Sequence, residues 1–543
     1  MNLRIIPLGG LGEIGMNLMV YEYGDSAIVV DCGMMFPDAA TLGVDVIVPD
    51  MTYLFENASR IKAVFLTHGH EDHIGAVPFL VERLPVPVYG MPLTLGFVRD
   101  KFEEFGIDGV ELRDIRPREV VEVGPFRLEA IRVTHSIVDA LAFAIRTPLG
   151  TVIHTGDFKL DHTPIDGHAT DLTRFAHYGD EGVLLLLSDS TNALVKGHCP
   201  SERSVGSALE RIFTSARGRI IFTTFASHIH RIQQVIDLAL KYRRRVFMIG
   251  RSIVDNVETA ERLGYIRVPR DARTSGSDGD PRELVIITTG TQGEPTSALS
   301  RMSIGEHRDV EIGQGDTVII SARTIPGNER AISHMIDNLY RRGAEVKSWD
   351  TDEVHVSGHA CEEELKLMIG ITRPKFFIPI HGTLRHMVHH ARLAESVGVP
   401  HGMVITNGQV VETDGKELRV LEERVTYGKV FIDAEAEEVP DVVVRDRQHL
   451  AEDGFVIVVV AIDSEGKLVR DPEIITRGLV HVDANQEMLD EVRGMVVGML
   501  AETPRAELRD SEVLQESLRA ALKRYFRKSM GRRPMILPVI WEM

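Results

Sequence analysis

The chain has 543 residues, 43% of them apolar and 26% charged, with a formal net charge of −19. That length exceeds a single hydrophobic core and predicts two or three domains, while no apolar run reaches the ~20 residues of a membrane span. Three scattered cysteines, Cys32, Cys199 and Cys361, exclude a disulfide framework and a CxxC zinc pattern; the acidic balance argues against an indiscriminate polyanion binder but leaves room for a local basic groove.

The start, Met1-Asn2-Leu3-Arg4-Ile5-Ile6-Pro7, reads as a strand rather than a cleavable signal, so the cytoplasm is the expected compartment. LGGLGEIG superficially matches a dinucleotide fingerprint, but no clear helix follows it, and a turn between strands is expected with no nucleotide cofactor. Short β-rich runs at 27–31, 63–67, 126–133, 151–155 and 183–188 are separated by Gly-rich turns and amphipathic stretches. From about Arg203 the rhythm becomes strand–helix alternation, with SVGSALERIFTSA, RIIFTTF, IHRIQQVIDLALKY and RRVFMIG predicting βαβ units and a parallel sheet. Lys241-Tyr242-Arg243-Arg244-Arg245 reads as a solvated helix end, with a channel wall as the alternative. After the loop-like TSGSDGDPR a strand ELVIITT resumes the alternation, which runs to about Val354. An acidic stretch at 435–453 precedes the strand FVIVVVAID and marks a small C-terminal α+β domain.

The chemistry concentrates in FLTHGHEDHIGA. Imidazole nitrogens and carboxylate oxygens suit zinc and related divalent ions, and H-x-H-x-D-H on a loop points alternate side chains to two sides of a small pocket, enough to hold two metals side by side. Such a pair needs more donors, and Asp31, His135, Asp157 and His381 each stand where a strand gives way to a loop. Any one of these is equally well a turn or capping residue; four around one motif are not. His359, preceded by Ser357 and Gly358 and followed by the helix-like EEELKLMIGI, is either an incidental helix cap or a phosphate contact at a helix N-terminus.

With Asp31, His135 and Asp157 in order, HGHEDH resembles the metallo-β-lactamase superfamily, which implies an αβ/βα sandwich with its metal site at one edge of two packed sheets. LSDST (Asp189), SGHA (His359) and PIHGT (His381), with a domain inserted before the last ligand, resemble the β-CASP nucleases. LGGLGEIG, FPD, TFASHIHR, GTQGEP, IPGNE, HVSGHA, RDR and RRPMILPVIWEM together resemble the bacterial ribonuclease J family over essentially the whole chain. His228 stands where that family more often has Asn, and SARTIPGN replaces a more serine-rich version.

The resemblance implies a metallo-β-lactamase domain at 1–205 and 356–435, an inserted β-CASP α/β domain at 206–355, a linker at 436–453 and a C-terminal α+β domain at 454–543. It implies that His68, His70 and His135 hold one divalent metal, that Asp72, His73 and His381 hold the other, and that Asp157 bridges them, the ions being zinc or manganese. Asp31 would fix a histidine tautomer and Asp189 would orient neighbouring groups, so the catalytic set is His359, Asp189, Asp31 and Asp72. His355, Val356, Ser357, Gly358 and His359 would contact nucleotide; Ser227, His228, Ser321 and the IPGN turn would receive a 5′-phosphate. Leu42, Val44 and Asp433 would hold a structural, calcium-like ion. The implied activity is 5′→3′ exonucleolysis of 5′-monophosphorylated single-stranded RNA, with endonuclease activity beside it, in mRNA decay and rRNA maturation, by a homodimer formed through the C-terminal domain. A metallo-hydrolase of a lactam or thioester would use the same metal loop but gives no reason for the inserted domain or the S-G-H segment. An RNA-binding scaffold on a dead nuclease fold would have lost ligands, and all seven are present.

Overall fold

Period-two patterning and fully apolar runs in the first two hundred residues resolve, in the computed structural model, into two packed sheets. Residues 1–38, 41–277, 279–325, 327–400, 402–433, 437–465, 467–479, 486–508 and 510–543 are described; Pro326 of the IPGN turn and the start of the acidic stretch lie outside them. The chain forms two units, one of residues 1–35 and 47–429, the other of 36–46 and 430–543.

In the first unit an eight-stranded sheet has the order Leu418–Arg424, Gln409–Thr413, Leu3–Gly9, Leu18–Tyr23, Ser26–Val30, Ile61–Phe65, Val88–Gly90, Leu112–Asp114. A six-stranded sheet has the order Phe376–Ile380, Val183–Asp189, Gly150–His154, Leu141–Thr147, Phe126–Arg132, Val120–Val123. Ile5, Tyr21, Ile28 and Phe65 from the first meet Leu128, Phe143, Val152, Leu185 and Ile378 from the second in one buried cluster. Leu186, adjacent to Leu185, packs instead with Phe175, Tyr178, Leu365 and Met368 of the helices Leu172–Glu181 and Glu362–Thr372. Both faces of this strand are dry, which accounts for its uninterrupted apolar run. Helix Pro92–Phe105 packs on the eight-stranded sheet at Val88–Gly90 and Leu112–Asp114. The result is the αβ/βα sandwich.

Val183–Asp189 and Phe376–Ile380 are parallel neighbours with Asp189 opposite Ile380, so the insertion leaves their pairing intact. Between them the chain builds an all-parallel five-stranded sheet in the order Arg245–Ile249, Leu284–Thr288, Ile220–Thr223, Thr317–Ile320, Glu345–Ser348. Helices Glu202–Ser215, Ile229–Lys241, Arg251–Arg262 and Glu329–Arg341 alternate with its strands. Arg244, in the basic run, is buried and donates to the carbonyls of Gly218 at 2.7 Å and Ala216 at 3.0 Å, while Lys241 pairs with Glu210. These two cations anchor a helix end and its neighbouring turn, not a channel wall.

The second unit has a three-stranded sheet, Glu473–Arg477, Phe455–Ile462, Met535–Glu542, whose Val456, Val458, Val460 and Ile536 pack against Val492, Val496, Leu518 and Leu522 of the helices Gln486–Glu502 and Ser511–Met530. Residues expected as a linker contain the helix Asp441–Asp453. Its Arg447 guanidinium donates to the carbonyls of Leu42 and Gly43, so the 36–46 segment belongs to this unit through contacts that its sequence does not announce.

Candidate metal centre

In each sheet the strands that run in one direction end toward the site, with Asp31 after Ser26–Val30, His68 after Ile61–Phe65, His135 after Phe126–Arg132, Asp157 after Gly150–His154, Asp189 closing Val183–Asp189 and His381 after Phe376–Ile380. Asp31 and His381 lie immediately past their strands in the left-handed backbone region, with φ of 61° and 50°. Non-glycine residues seldom sit there unless their surroundings hold them. Asp31 is held: it accepts from Thr67 N at 2.7 Å and Thr67 Oγ1 at 2.8 Å, and its Oδ2 lies 2.7 Å from His73 Nδ1.

Three donor groups converge, each with its atoms within 4.8 Å of one another: His68, His70, His135 and Asp157; Asp72, His73, Asp157 and His381; Asp157, Asp189, His359 and His381. Asp157 belongs to all three. Its Oδ2 lies 3.3 Å from His73 Nε2, 3.7 Å from His135 Nε2 and 3.8 Å from His68 Nε2. His70 Nδ1 is 3.0 Å from His68 Nε2 and 3.2 Å from His135 Nε2, and His381 Nε2 is 3.2 Å from Asp72 Oδ2. Asp157 Oδ1 is buried without a hydrogen-bond partner. A buried carboxylate oxygen left open among convergent imidazoles is the signature of a cation site, so the donor set fits divalent metals.

Electrostatics point the same way. Burial, and then the neighbouring imidazoles, hold His68 and His135 well below the usual histidine range, and burial takes His70 down to about 4. These three therefore offer neutral lone pairs at neutral pH. Burial also opposes charge on His73 and His381, but Asp157 and its fellow carboxylates outweigh it, raising His73 and bringing His381 to about 10. Burial penalises the Asp72 and Asp157 carboxylates as well, yet the surrounding imidazoles keep both ionised. Without metal, protonated His73 and His381 balance these carboxylates, and a divalent cation binding there would displace their protons.

An outer ring fixes the donors. Asn17 Nδ2 donates to Asp72 O at 3.0 Å and lies 3.1 Å from His73 Nε2. The LGGLGEIG turn serves this contact, since a Cβ at Gly9 or Gly10 would strike Met16 or Asn17. Thr191 Oγ1 donates to Asp189 Oδ1 at 2.7 Å and sits 2.6 Å from His381 Nδ1. Asp189 Oδ2 is 2.8 Å from His359 Nδ1, and His135 Nδ1 donates to Gly358 O at 2.7 Å. Asn192 Nδ2 donates to Ser357 Oγ at 2.8 Å and to His359 O at 3.0 Å. Thr191 and Asn192 stand two and three positions after the acid of LSDST and were within reach of sequence reasoning; Asn17 lies in a distant turn with no motif of its own.

The remaining site candidates scatter. His355 Nδ1 accepts from Arg231 Nη1 at 2.8 Å, and Val356 is buried. Ser321 is fully buried and donates to Val354 O at 2.6 Å, while His228 is buried with its ring stacked on that of His355. Ser321 is taken up by Val354 and by Arg231, which pairs bidentately with Glu202 at 2.7 Å and donates to Ser321 O at 3.0 Å, and His228 is buried with its Nδ1 unpartnered, so neither side chain stands at the surface to meet an incoming phosphate. Ser227 remains half-buried. Leu42 O, expected at a structural ion, accepts from Arg447 at 3.3 Å, and Asp433 Oδ1 accepts from Glu437 N at 3.1 Å.

Comparison with known proteins covers both units. The family models for the metallo-beta-lactamase superfamily (residues 12–196), the ribonuclease J beta-CASP domain (217–339), the Zn-dependent metallo-hydrolase RNA specificity domain (346–404) and the ribonuclease J C-terminal domain (442–543) all match. The chain is 42% identical to ribonuclease J of Synechocystis sp. over 98% of its length and 86% of that protein. It is 43% identical to ribonuclease J of Thermus thermophilus over 100% of its length and 95% of that protein. Ribonuclease J2 of Bacillus subtilis is 40% identical, with 100% of this chain and 99% of that one aligned. A crystal structure of a protein of unknown function from Enterococcus faecalis shares the fold at a TM-score of 0.54 and 17% identity, over 78% of this chain and 100% of that one.

Proposed function

The chain belongs to the ribonuclease J family, and from that premise we propose that this metal-dependent ribonuclease degrades single-stranded RNA 5′→3′ from a 5′-monophosphate, with internal cleavage as a secondary activity. The observation that carries the reading is the placement of the S-G-H segment against the donor cluster, with Gly358 O on His135 and the His359 ring 4.9 Å from that of His135. His68, His70 and His135 would hold one ion, Asp72, His73 and His381 the other, with Asp157 between them, and zinc and manganese both suit these donors. When bound, such a pair supplies Lewis acidity toward a phosphate and lowers the pKa of water toward neutrality.

The chain's own groups do the rest. Asp31 keeps the proton of His73 on Nδ1, so that Nε2 faces the cluster. Asp189 likewise holds a proton on His359 Nδ1, leaving the opposite ring edge to neutralise charge on the reacting phosphate or protonate the departing 3′-oxygen. Asn192 fixes Ser357 and His359 together. The terminal 5′-phosphate would lie near Ser227 and Ser357, half-buried residues whose hydroxyls would donate to it.

Alternate residues Leu537, Val539 and Trp541 of the C-terminal strand are exposed at 43%, 39% and 58%, an apolar stripe suited to a second copy of the chain, which supports homodimerisation through this unit. A calcium-like ion near Leu42, Val44 and Asp433, residence in the cytoplasm, and roles in mRNA decay and rRNA maturation complete the reading. The test compares rates on 5′-monophosphate, 5′-hydroxyl and 5′-triphosphate forms of one unstructured RNA. Fastest loss of the monophosphate form with mononucleotide products is expected; equal rates on all three ends, or products accumulating from the 3′ end, would refute it.

A further inference from the structure

The chain has two tryptophans, Trp349 and Trp541. Trp349 follows the last strand of the inserted sheet, Glu345–Ser348, and is 43% exposed. The Arg323 guanidinium lies 5.8 Å from its ring centroid, near the outer limit of a cation–π contact, so the ring face is only loosely covered. Arg323 is itself exposed, and its Nη1 lies 3.5 Å from Asn192 Oδ1, whose Nδ2 holds Ser357 and His359. A single side chain thus links an exposed indole to the segment that carries the catalytic imidazole. Nearby acids are already engaged: Asp350 accepts from Ser348 Oγ at 2.5 Å, and Asp352 lies 3.8 Å from Lys347.

We propose that Trp349 and Arg323 form a stacking platform for the nucleobase on the 5′ side of the cleaved bond, the indole taking the base face and the guanidinium the adjoining phosphate. Proteins that grip single strands without sequence preference combine these elements, an aromatic plane for the base and a cation for the backbone. The placement rests on the ribonuclease reading, because Arg323 reaches Asn192, and Asn192 fixes the two residues that reading assigns to the reacting phosphate and the 5′ end. Stacking there would set the register of the strand, so that each advance brings one phosphodiester to the metal pair.

The test uses the metal-loaded Trp541→Phe variant, in which Trp349 is the only indole, and a 5′-monophosphorylated oligoribonucleotide whose first linkages are phosphorothioate to slow cleavage. Saturable change of the Trp349 emission is expected, with loss of that change when the first nucleotide is abasic, while anisotropy of a 3′ label still reports binding. In turnover, Trp349→Ala should raise KM by about 5- to 150-fold, the range for one lost base–aromatic stack, with kcat within about 2-fold, and Trp349→Phe should restore most of it. Binding with unchanged emission, an equal response to the abasic strand, or an unchanged KM in Trp349→Ala overturns the platform. If the unmodified chain neither binds nor degrades RNA, the ribonuclease reading falls first and takes this one with it.

Discussion

Gly358→Ala places a methyl group where the structure has no room. A Cβ at this position would lie 2.7 Å from His135 Cε1, His135 Nδ1 and Ser136 N, roughly 1 Å inside the ~3.5–4.0 Å optimum for non-bonded atoms. His135 cannot retreat freely, since its Nδ1 is bonded to Gly358 O at 2.7 Å and its Nε2 faces His70 at 3.2 Å. Either the imidazole leaves the donor cluster or the Ser357–His359 segment backs away from it. A displacement near 1 Å at a reacting centre costs on the order of 100-fold in rate, or ~2.7 kcal/mol. The expected outcome is therefore a fall of about two orders of magnitude in kcat/KM on 5′-monophosphorylated RNA, together with weaker metal retention measured by elemental analysis after dialysis. Gly370→Ala is the control: it sits exposed in the helix Glu362–Thr372 with nothing within 4 Å of its would-be Cβ, and should leave activity unchanged. Full activity and full metal content in Gly358→Ala would refute the packing argument.

Two further perturbations act on stability. Arg231→Met strands the buried Glu202 carboxylate and should cost about 3–5 kcal/mol in urea unfolding, whereas the double variant Arg231→Met, Glu202→Leu should recover much of it; equal losses in both would contradict the pairing. His390 is fully buried against Phe377 and Ser190, and burial lowers its pKa to about 3, against ~6.5 when unfolded. The unfolded chain therefore binds the extra proton between these values, so stability should fall by up to ~1.4 kcal/mol per unit as pH drops below about 6.5. His390→Leu should flatten that fall in metal-saturated protein compared at pH 7.5 and 5.5, and an unaltered slope would show that this imidazole does not titrate on unfolding.

The sandwich and the parallel insertion were legible because strand period, helix period and strand-end donors recur along the sequence in a consistent order. The donor cluster was legible for a related reason: imidazoles and carboxylates spaced H-x-H-x-D-H have few uses other than a cation. What stayed hidden depends on contacts between distant segments. Asn17 reaches His73 only because glycines let a turn fold back closely on itself. Ser321 and His228 look like surface groups in loops after strands, but Ser321 O accepts from the buried Arg231 and the His228 ring is buried on that of His355, contacts between segments far apart in the chain. The helix Asp441–Asp453 is rich in charge and reads as a linker, since little more than Val444 faces inward. The grouping of residues 36–46 with the C-terminal unit likewise rests on Arg447 and a few carbonyls, which leave no pattern in composition.

Stoichiometric metal titration shows whether Asp157, shared by the donor clusters, joins two ions into one site. Chelator-stripped protein would be titrated with manganese or zinc while hydrolysis of 5′-monophosphorylated RNA and bound metal are followed together. No hydrolysis is expected without metal, and activity should plateau at two ions per chain, a level that Asp157→Asn fails to reach. Hydrolysis by the stripped protein, or a plateau at one ion that Asp157→Asn also reaches, would contradict the two-ion site.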